Sequence, residues 1–190
     1  MTSRERVTIA LDGGIPDRVP YQDAFWATTI ERWHSEGLPA DQSPEDHFGC
    51  EIAKIGGDYT LQLPVEIVEE TDRYRTYWDA DGTLRKVLQT QDGWTPLFLD
   101  FRTKDRAAWE RVKEQAAYRA SRLPGNLADS LSAARQKGQF VAYGAHACFH
   151  PTWHRMGMER MFEFMIEDPD FVTDMFEAHT KLITDIYDAM

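Results

Sequence analysis

The chain has 190 residues, of which 42% are hydrophobic and 12% aromatic, and its formal net charge is −11. This length and composition are typical of a globular protein with a core of its own and exclude a disordered chain. The negative charge excludes nucleic acid and anionic membrane surfaces as expected partners, because both would be repelled.

In chain order, Thr2 and Glu5 have the spacing of a capping box and predict an N-terminal helix. The mixed apolar stretch VPYQDAFW follows two prolines and predicts a buried strand. Three more signals complete this part of the chain: a helix over residues 27–36, a capped helix start at residues 43–46, and a strand-like stretch over residues 52–63.

The strongest local signal further on is Asp81-Gly82, which lies between alternating stretches and predicts a hairpin. Helices are predicted over residues 105–118 and 126–137, and QFVAYGAHA is predicted to be a short strand. A last helix begins at Asp168-Pro169 and carries an apolar stripe with the helical period.

Strands and helices alternate outside the hairpin, so we expect one α/β domain over residues 1–190. A closed (β/α)8 barrel needs about 250 residues, and the last helix is still in phase at Met190. We therefore predict the incomplete N-terminal half of a (β/α)8 TIM barrel with a β-hairpin insertion. The open strand edges of such a half barrel predict self-association.

The N-terminal apolar run, residues 7–11, is too short for a secretory signal or a membrane span. The two cysteines, Cys50 and Cys148, provide no disulfide framework. These features predict a cytoplasmic protein. The sequence also lacks a glycine-rich phosphate loop, a serine nucleophile elbow and a His-Glu-x-x-His motif, which excludes the enzyme classes that depend on them.

Five stretches resemble the uroporphyrinogen decarboxylase superfamily, which contains haem-pathway decarboxylases and corrinoid-linked methyltransferases. In order they are SRERVTIALDGGIPDRVP, DADGTLRK, TPLFLDFRTKDRAAWE, VAYGA and MGMERMFEFMIEDPDFVTDMFEAH, and together they span nearly the whole chain. The fold of that family is a (β/α)8 barrel, so the resemblance implies the same fold that the alternation of elements predicts.

Two departures from the family pattern bear on the activity. The stretch YQDAFWATTIERW lacks the arginine pair that binds substrate carboxylates in the decarboxylases, and no tyrosine stands near Trp153 or His154, where the decarboxylases carry one. The resemblance therefore implies corrinoid-linked methyl transfer, with a small-molecule or corrinoid-linked substrate and a corrinoid protein as partner. Two alternatives stay open: a uroporphyrinogen decarboxylase of porphyrin biosynthesis and a non-catalytic half-barrel assembly module.

The methyltransferase branch uses zinc to activate a thiol, through a His-x-Cys pair and a later Cys in the second half of its barrel. We therefore expect any zinc cofactor to be bound by residues of that second half. His146 and Cys148 have a similar spacing, but strand alternation would place both on one face without any metal.

The segment HACFHPTWH, residues 146–154, holds three of the six histidines and one of the two cysteines. We interpret it as part of the barrel mouth, where substrates bind. His150 and His154 are then candidate catalytic residues, since histidine moves protons near neutral pH. His146 and Trp153 are candidate substrate-binding residues. Helix capping or packing by the histidines is the structural alternative.

Two aspartates complete the candidate site. The resemblance carries a second-strand aspartate of the family to Asp58, a candidate catalytic residue, although Asp58 also suits a turn. Asp23 stands among apolar neighbours and is assigned to substrate binding, while a surface position suits it equally. We expect Arg18 to tie the chain entry to an acid and His179 to be a satisfied core histidine. The acids of the hairpin region are expected to form a solvated face: Glu66, Glu69, Glu70, Asp72, Asp79 and Asp81.

Overall fold

The computed structural model describes residues 1–89 and 95–190. Within these residues the elements are, in chain order, α1 (Ser3–Leu11), α2 (Ala27–Glu36), α3 (Pro44–His47), β1 (Ile52–Ile55), β2 (Glu66–Glu70), β3 (Tyr74–Trp78), β4 (Thr83–Leu88), β5 (Leu97–Phe101), α4 (Arg106–Val112), α5 (Leu127–Gln136), β6 (Phe140–Tyr143), α6 (Phe149–Met156), α7 (Met158–Glu167) and α8 (Pro169–Asp188). Two 3-10 helices, Lys113–Ala116 and Ala120–Arg122, follow α4. Within the described ranges, every helix is too short or too polar to cross a lipid bilayer.

The chain divides into two compact units. The first unit comprises Met1–Gly56 and Gly125–Gly144, and the second unit comprises Gly57–Pro124 and Ala145–Met190. The first unit contains α1, α2, α3, α5 and the two strands β1 and β6, whereas the second unit contains the other strands and helices.

The predicted helix ends of the first unit are confirmed. The Thr2 hydroxyl accepts a hydrogen bond from the Glu5 N–H at 3.2 Å, and the Glu5 carboxylate accepts one from the Thr2 N–H at 2.8 Å. Gly37 ends α2 with φ of 115°, a left-handed conformation that suits glycine. Ser43 caps α3 by accepting from the Asp46 N–H at 3.1 Å.

The sheet of the first unit has two parallel strands, β1 and β6, with Ile52 opposite Phe140 and Ile55 opposite Tyr143. The strand predicted for VPYQDAFW is wrong, because residues 12–26 follow an irregular path. Side chains bond some of the N–H groups that a strand ladder would use, while the Tyr21 carbonyl accepts from the Glu51 N–H at 3.0 Å. The Tyr21 N–H donates to the Glu51 carboxylate at 2.6 Å.

A buried acid organises this unit. The Glu51 carboxylate is 1% exposed and accepts hydrogen bonds from Arg6, from Arg18 at 2.9 Å and from the Tyr21 N–H. Arg6 also donates to both carboxylate oxygens of Asp17, at 2.6 and 2.9 Å. The prediction that Arg18 ties the chain entry to an acid is confirmed.

The sheet of the second unit is an antiparallel meander in the order β2-β3-β4-β5. The predicted hairpin is confirmed between β3 and β4, where Gly82 has φ of 76°. The Asp79 carboxylate closes the turn by accepting from the N–H groups of Asp81 and Thr83, both at 2.9 Å. The hairpin belongs to this four-stranded sheet, which lies in the sequence between the parallel strands β1 and β6.

The core of the second unit lies between the helices α4, α6, α7 and α8. The predicted apolar stripe of α8 is confirmed, since Phe171, Val172, Met175, Leu182 and Ile186 are buried, whereas Tyr187 is 59% exposed. Phe171, Val172 and Met175 pack in a cluster that includes Leu61, Trp109, Met156 and Met161.

The predicted half of a (β/α)8 TIM barrel is wrong. Among the described residues the parallel sheet has two strands, and the other four strands form a separate antiparallel sheet. Parallel neighbours need a long crossover, usually a helix. Only residues 71–73 separate β2 from β3, and only residues 79–82 separate β3 from β4, so these strands must reverse direction.

Candidate functional site

A cleft of about 290 Å³ in the second unit brings together four of the candidate site residues predicted above, Asp58, His146, His150 and His154. It is lined by four of the six histidines, His146, His150, His154 and His179, and by Asp58 and Asp81. We call it the histidine cleft.

Three of these histidines form a continuous column. His150 and His154 are four residues apart on α6, which places them on one helix face. The ring centroids of His146 and His150 lie 4.2 Å apart with an interplanar angle of 16°, and those of His150 and His154 lie 4.3 Å apart. Strand β6 already ends at Tyr143, so the prediction that His146 and Cys148 share a strand face is wrong. Cys148 instead precedes α6 with helical backbone angles.

The surroundings hold His150 and His154 in the neutral form. The Nδ1 atom of His154 lies 3.2 Å from Nη2 of Arg85, and because a guanidinium only donates, the proton of the neutral imidazole resides on Nε2. Burial, followed by the nearby His150 and Arg85, lowers the pKa of His154 to about 4. Burial, His146 and Arg85 also lower the pKa of His150. Both imidazoles are therefore neutral at neutral pH, and the Nδ1 lone pair of His154 already accepts from Arg85.

The lowered pKa of His154 predicts acid sensitivity. The folded-state pKa of about 4 lies below the ordinary value of 6.5, so the unfolded chain binds the proton first as the pH falls. The titration of His154 therefore leaves the free energy of unfolding unchanged above pH 6.5 and lowers it as the pH falls from 6.5 towards 4. We expect the urea midpoint of wild type to fall over this interval more steeply than that of His154→Gln. Parallel curves for the two proteins would contradict this expectation.

Asp58 lines the cleft and also forms a turn, so it has the position of a candidate site residue and the contacts of a turn residue. Its Oδ1 atom accepts from the N–H and hydroxyl of Thr60 at 2.9 and 2.7 Å, and its Oδ2 atom accepts from Gln62 at 2.9 Å. Burial alone would raise the pKa of Asp58, but these hydrogen bonds outweigh it and lower that pKa below its ordinary value. Asp58 is therefore an ionised hydrogen-bond acceptor at neutral pH.

Arg122 fixes the backbone on which Asp58 stands. This side chain is 1% exposed and donates to the main-chain carbonyls of Asp58 and Thr60 at 2.7 and 2.8 Å. It also donates to the carbonyls of Ala117, at 3.0 Å, and Gln115. The guanidinium joins the wall of the cleft to the segment that follows α4.

The prediction of a solvated face is wrong for Asp79 and Asp81. Asp79 forms an ion pair with Arg85, and Asp81 accepts from Nε of the fully buried Arg155 at 2.9 Å. The same Asp81 oxygen accepts from the Leu61 N–H at 3.1 Å. Other acids of this region are exposed, as predicted: Glu66, Glu69, Glu70 and Asp72.

Two predicted substrate-binding residues, Trp153 and Asp23, are not among the residues that line the cleft. Trp153 packs against the core cluster and meets the Phe98 ring edge-on at 5.5 Å between centroids. Asp23 belongs to the first unit, is exposed, and accepts from the N–H of Ala24 at 2.7 Å. His179 is buried as predicted, but it lines the cleft, which the apolar stripe of α8 does not indicate.

The donors needed for zinc are not assembled in the described part of the chain. No group of three or more His, Cys, Asp or Glu side chains there is arranged to hold a metal ion. His146 and Cys148 consequently do not fit the zinc site that the methyltransferase branch implies, and both cysteines are free thiols.

Comparison with known proteins identifies no relative. No protein-family model matches the chain, and no curated protein and no solved structure matches it significantly.

Proposed function

We propose that this chain is an enzyme with the chemistry of the uroporphyrinogen decarboxylase superfamily, acting in corrinoid-linked methyl transfer on a small substrate. The observation that carries the proposal is the neutral His150 and His154 pair beside the ionised Asp58 in one cleft. We propose the chemistry that the sequence stretches imply, but not the barrel fold that they also imply.

His150 is the proposed general base. A thiol or hydroxyl must lose its proton before it accepts a methyl group, and a neutral imidazole at the cleft wall can take that proton. In the proposed step the substrate S–H or O–H bond breaks, and the proton moves to His150. The new bond to the methyl carbon forms as the carbon–cobalt bond of the corrinoid substrate breaks, with its electron pair remaining on cobalt. His154, hydrogen-bonded to Arg85, orients the neighbouring ring of the column.

The size and charge of the cleft favour this proposal over uroporphyrinogen decarboxylation. A volume of about 290 Å³ lies at the lower end of small-molecule sites, so it suits a small methyl acceptor. The much larger corrinoid would be presented by a partner protein. The cleft is lined by two carboxylates, Asp58 and Asp81, whereas a substrate with several carboxylates needs cationic partners.

The test is a methyl-transfer assay with methylcobalamin and a series of small thiols and alcohols. We expect a methylated product, and we expect His150→Gln to lower kcat about 10²-fold with little change in KM, because general base catalysis contributes at least that much. His47→Gln, which changes an exposed histidine of the first unit, is the control and should retain full activity. Conversion of uroporphyrinogen to coproporphyrinogen, without methyl transfer, would favour the decarboxylase alternative.

We also propose a cytoplasmic location, since two free thiols suit a reducing compartment. Neither nucleic acid nor membrane is proposed as a partner, in view of the net charge of −11. Self-association is proposed through β1 and β6, because each strand of a two-stranded sheet has an outer edge that can pair with another chain.

A further inference from the structure

One ring nitrogen of His179 is hydrogen-bonded, whereas the other has no partner among the described residues. The ring lines the histidine cleft, although the residue is only 1% exposed. Its Nε2 atom lies 3.2 Å from the main-chain oxygen of His146, and because a carbonyl only accepts, Nε2 must carry the proton. Nδ1 is then a hydrogen-bond acceptor, and it is buried without a partner among the described residues.

The groups around His179 keep its ring in the neutral form. The Arg155 guanidinium is fixed behind the cleft, with Nε on Asp81 at 2.9 Å and Nη2 on the Tyr59 carbonyl at 2.8 Å. Burial, and then the positive charge of Arg155, lower the pKa of His179 to about 4. The ring is therefore neutral at pH 7. The Tyr59 ring meets it edge-on, with 6.5 Å between the centroids.

Both carboxylates of the cleft already receive donors. Both carboxylate oxygens of Asp58 are hydrogen-bonded, by Thr60 and Gln62. Asp81 Oδ1 accepts from Leu61 and Arg155. Buried polar groups in native proteins are nearly always paired, so an unpaired buried acceptor in a cleft wall points to a donor supplied by a ligand.

We propose that the ligand of the histidine cleft donates a hydrogen bond to Nδ1 of His179, so that the cleft selects small molecules carrying an O–H or N–H group besides the group that reacts. This inference rests on the proposed function, because it names the substrate class of the same cleft. A ligand with an ether or carbonyl oxygen at this position is disfavoured, since two lone pairs would face each other.

Phenol and anisole are suitable probes, because methylation of the hydroxyl removes the donor and leaves the ring. We expect wild type to bind phenol about 5- to 10-fold more tightly than anisole, the effect of one hydrogen bond. In His179→Gln the amide can still donate to the His146 carbonyl, but no acceptor occupies the Nδ1 position, so the preference should vanish. His179→Asn, whose amide oxygen can occupy that position, should retain part of it. Calorimetric titration of the three proteins measures the affinities.

Equal affinities of wild type for the two probes, absence of phenol binding, or an undiminished preference in His179→Gln would each overturn the inference. A measurement on wild type guards against a variant that does not fold. The ¹⁵N resonance of His179 Nδ1 should move upfield with phenol and stay in place with anisole, and an unchanged resonance at saturating phenol would also overturn the inference. These experiments need no turnover. Phenol selectivity without methyl transfer would support this inference and contradict the proposed function. Methyl transfer without phenol selectivity would support the proposed function and contradict this inference.

Discussion

Replacing Arg122 with methionine is expected to lower the free energy of unfolding by about 3–5 kcal/mol, because several buried carbonyl groups lose their donor together. The guanidinium donates to four main-chain oxygens, including those of Asp58 and Thr60. Methionine fills much of the same space but donates no hydrogen bond. Urea denaturation followed by circular dichroism measures the change.

Arg119→Met is the matched control. Arg119 is exposed and donates one long hydrogen bond, of 3.4 Å, to the Glu114 carbonyl, so its loss should change stability by less than about 0.5 kcal/mol. The structural role proposed for Arg122 would be refuted if the two variants were equally stable. We also expect Arg122→Met to weaken phenol binding, because the backbone of Asp58 and Thr60 forms part of the cleft wall.

Glu51→Gln should have an effect of similar size in the first unit, about 3 kcal/mol, because removing one charge of a buried cluster leaves its partners uncompensated. Arg6 and Arg18 both donate to Glu51, which also receives the Tyr21 N–H. Burial would raise the pKa of Glu51, but these donors outweigh it and lower the pKa. Glutamine has nearly the size of glutamate, so the change in the free energy of unfolding measures the contribution of the charge.

The control for Glu51→Gln is the same substitution at Glu36, which forms an exposed pair with Arg32 at 2.7 Å and should contribute less than about 1 kcal/mol. Asp17, which pairs with Arg6 in the same cluster, adds a pH dependence to the stability of this unit. Arg6 lowers the pKa of Asp17 to about 2, so its stabilisation is present above the ordinary value of 3.8 and is lost as the pH falls towards 2. A Glu51→Gln protein as stable as Glu36→Gln would show that the cluster does not stabilise the fold.

Local signals in the sequence predicted local structure correctly. The capping box at Thr2, the glycine after α2 and the Asp81-Gly82 turn each involve residues within a few positions of one another. The barrel prediction failed because it depended on how distant strands pair. An apolar stretch such as VPYQDAFW has the composition of a strand, but the side chain of Glu51, about thirty residues later, bonds the backbone there.

The same distinction applies to the histidine cleft. The spacing of His146, His150 and His154 predicted their proximity, since all three lie within nine consecutive residues. The contacts of Arg122 with Asp58 and of Arg155 with Asp81 join residues 64 and 74 positions apart. Such arginines have no local signature, because a buried guanidinium and a solvated one look alike in a sequence. The role of His179 was missed for a related reason, as its apolar neighbours indicated only burial.

The histidine column places a constraint on insertion and deletion. Successive residues of an α-helix are rotated by about 100°, so the rings of His150 and His154 share one side of α6 because four positions separate them. Removing a single residue between His150 and His154 would turn the second imidazole to another side of α6. The residues between the histidines can therefore change in identity over evolution far more readily than they can change in number.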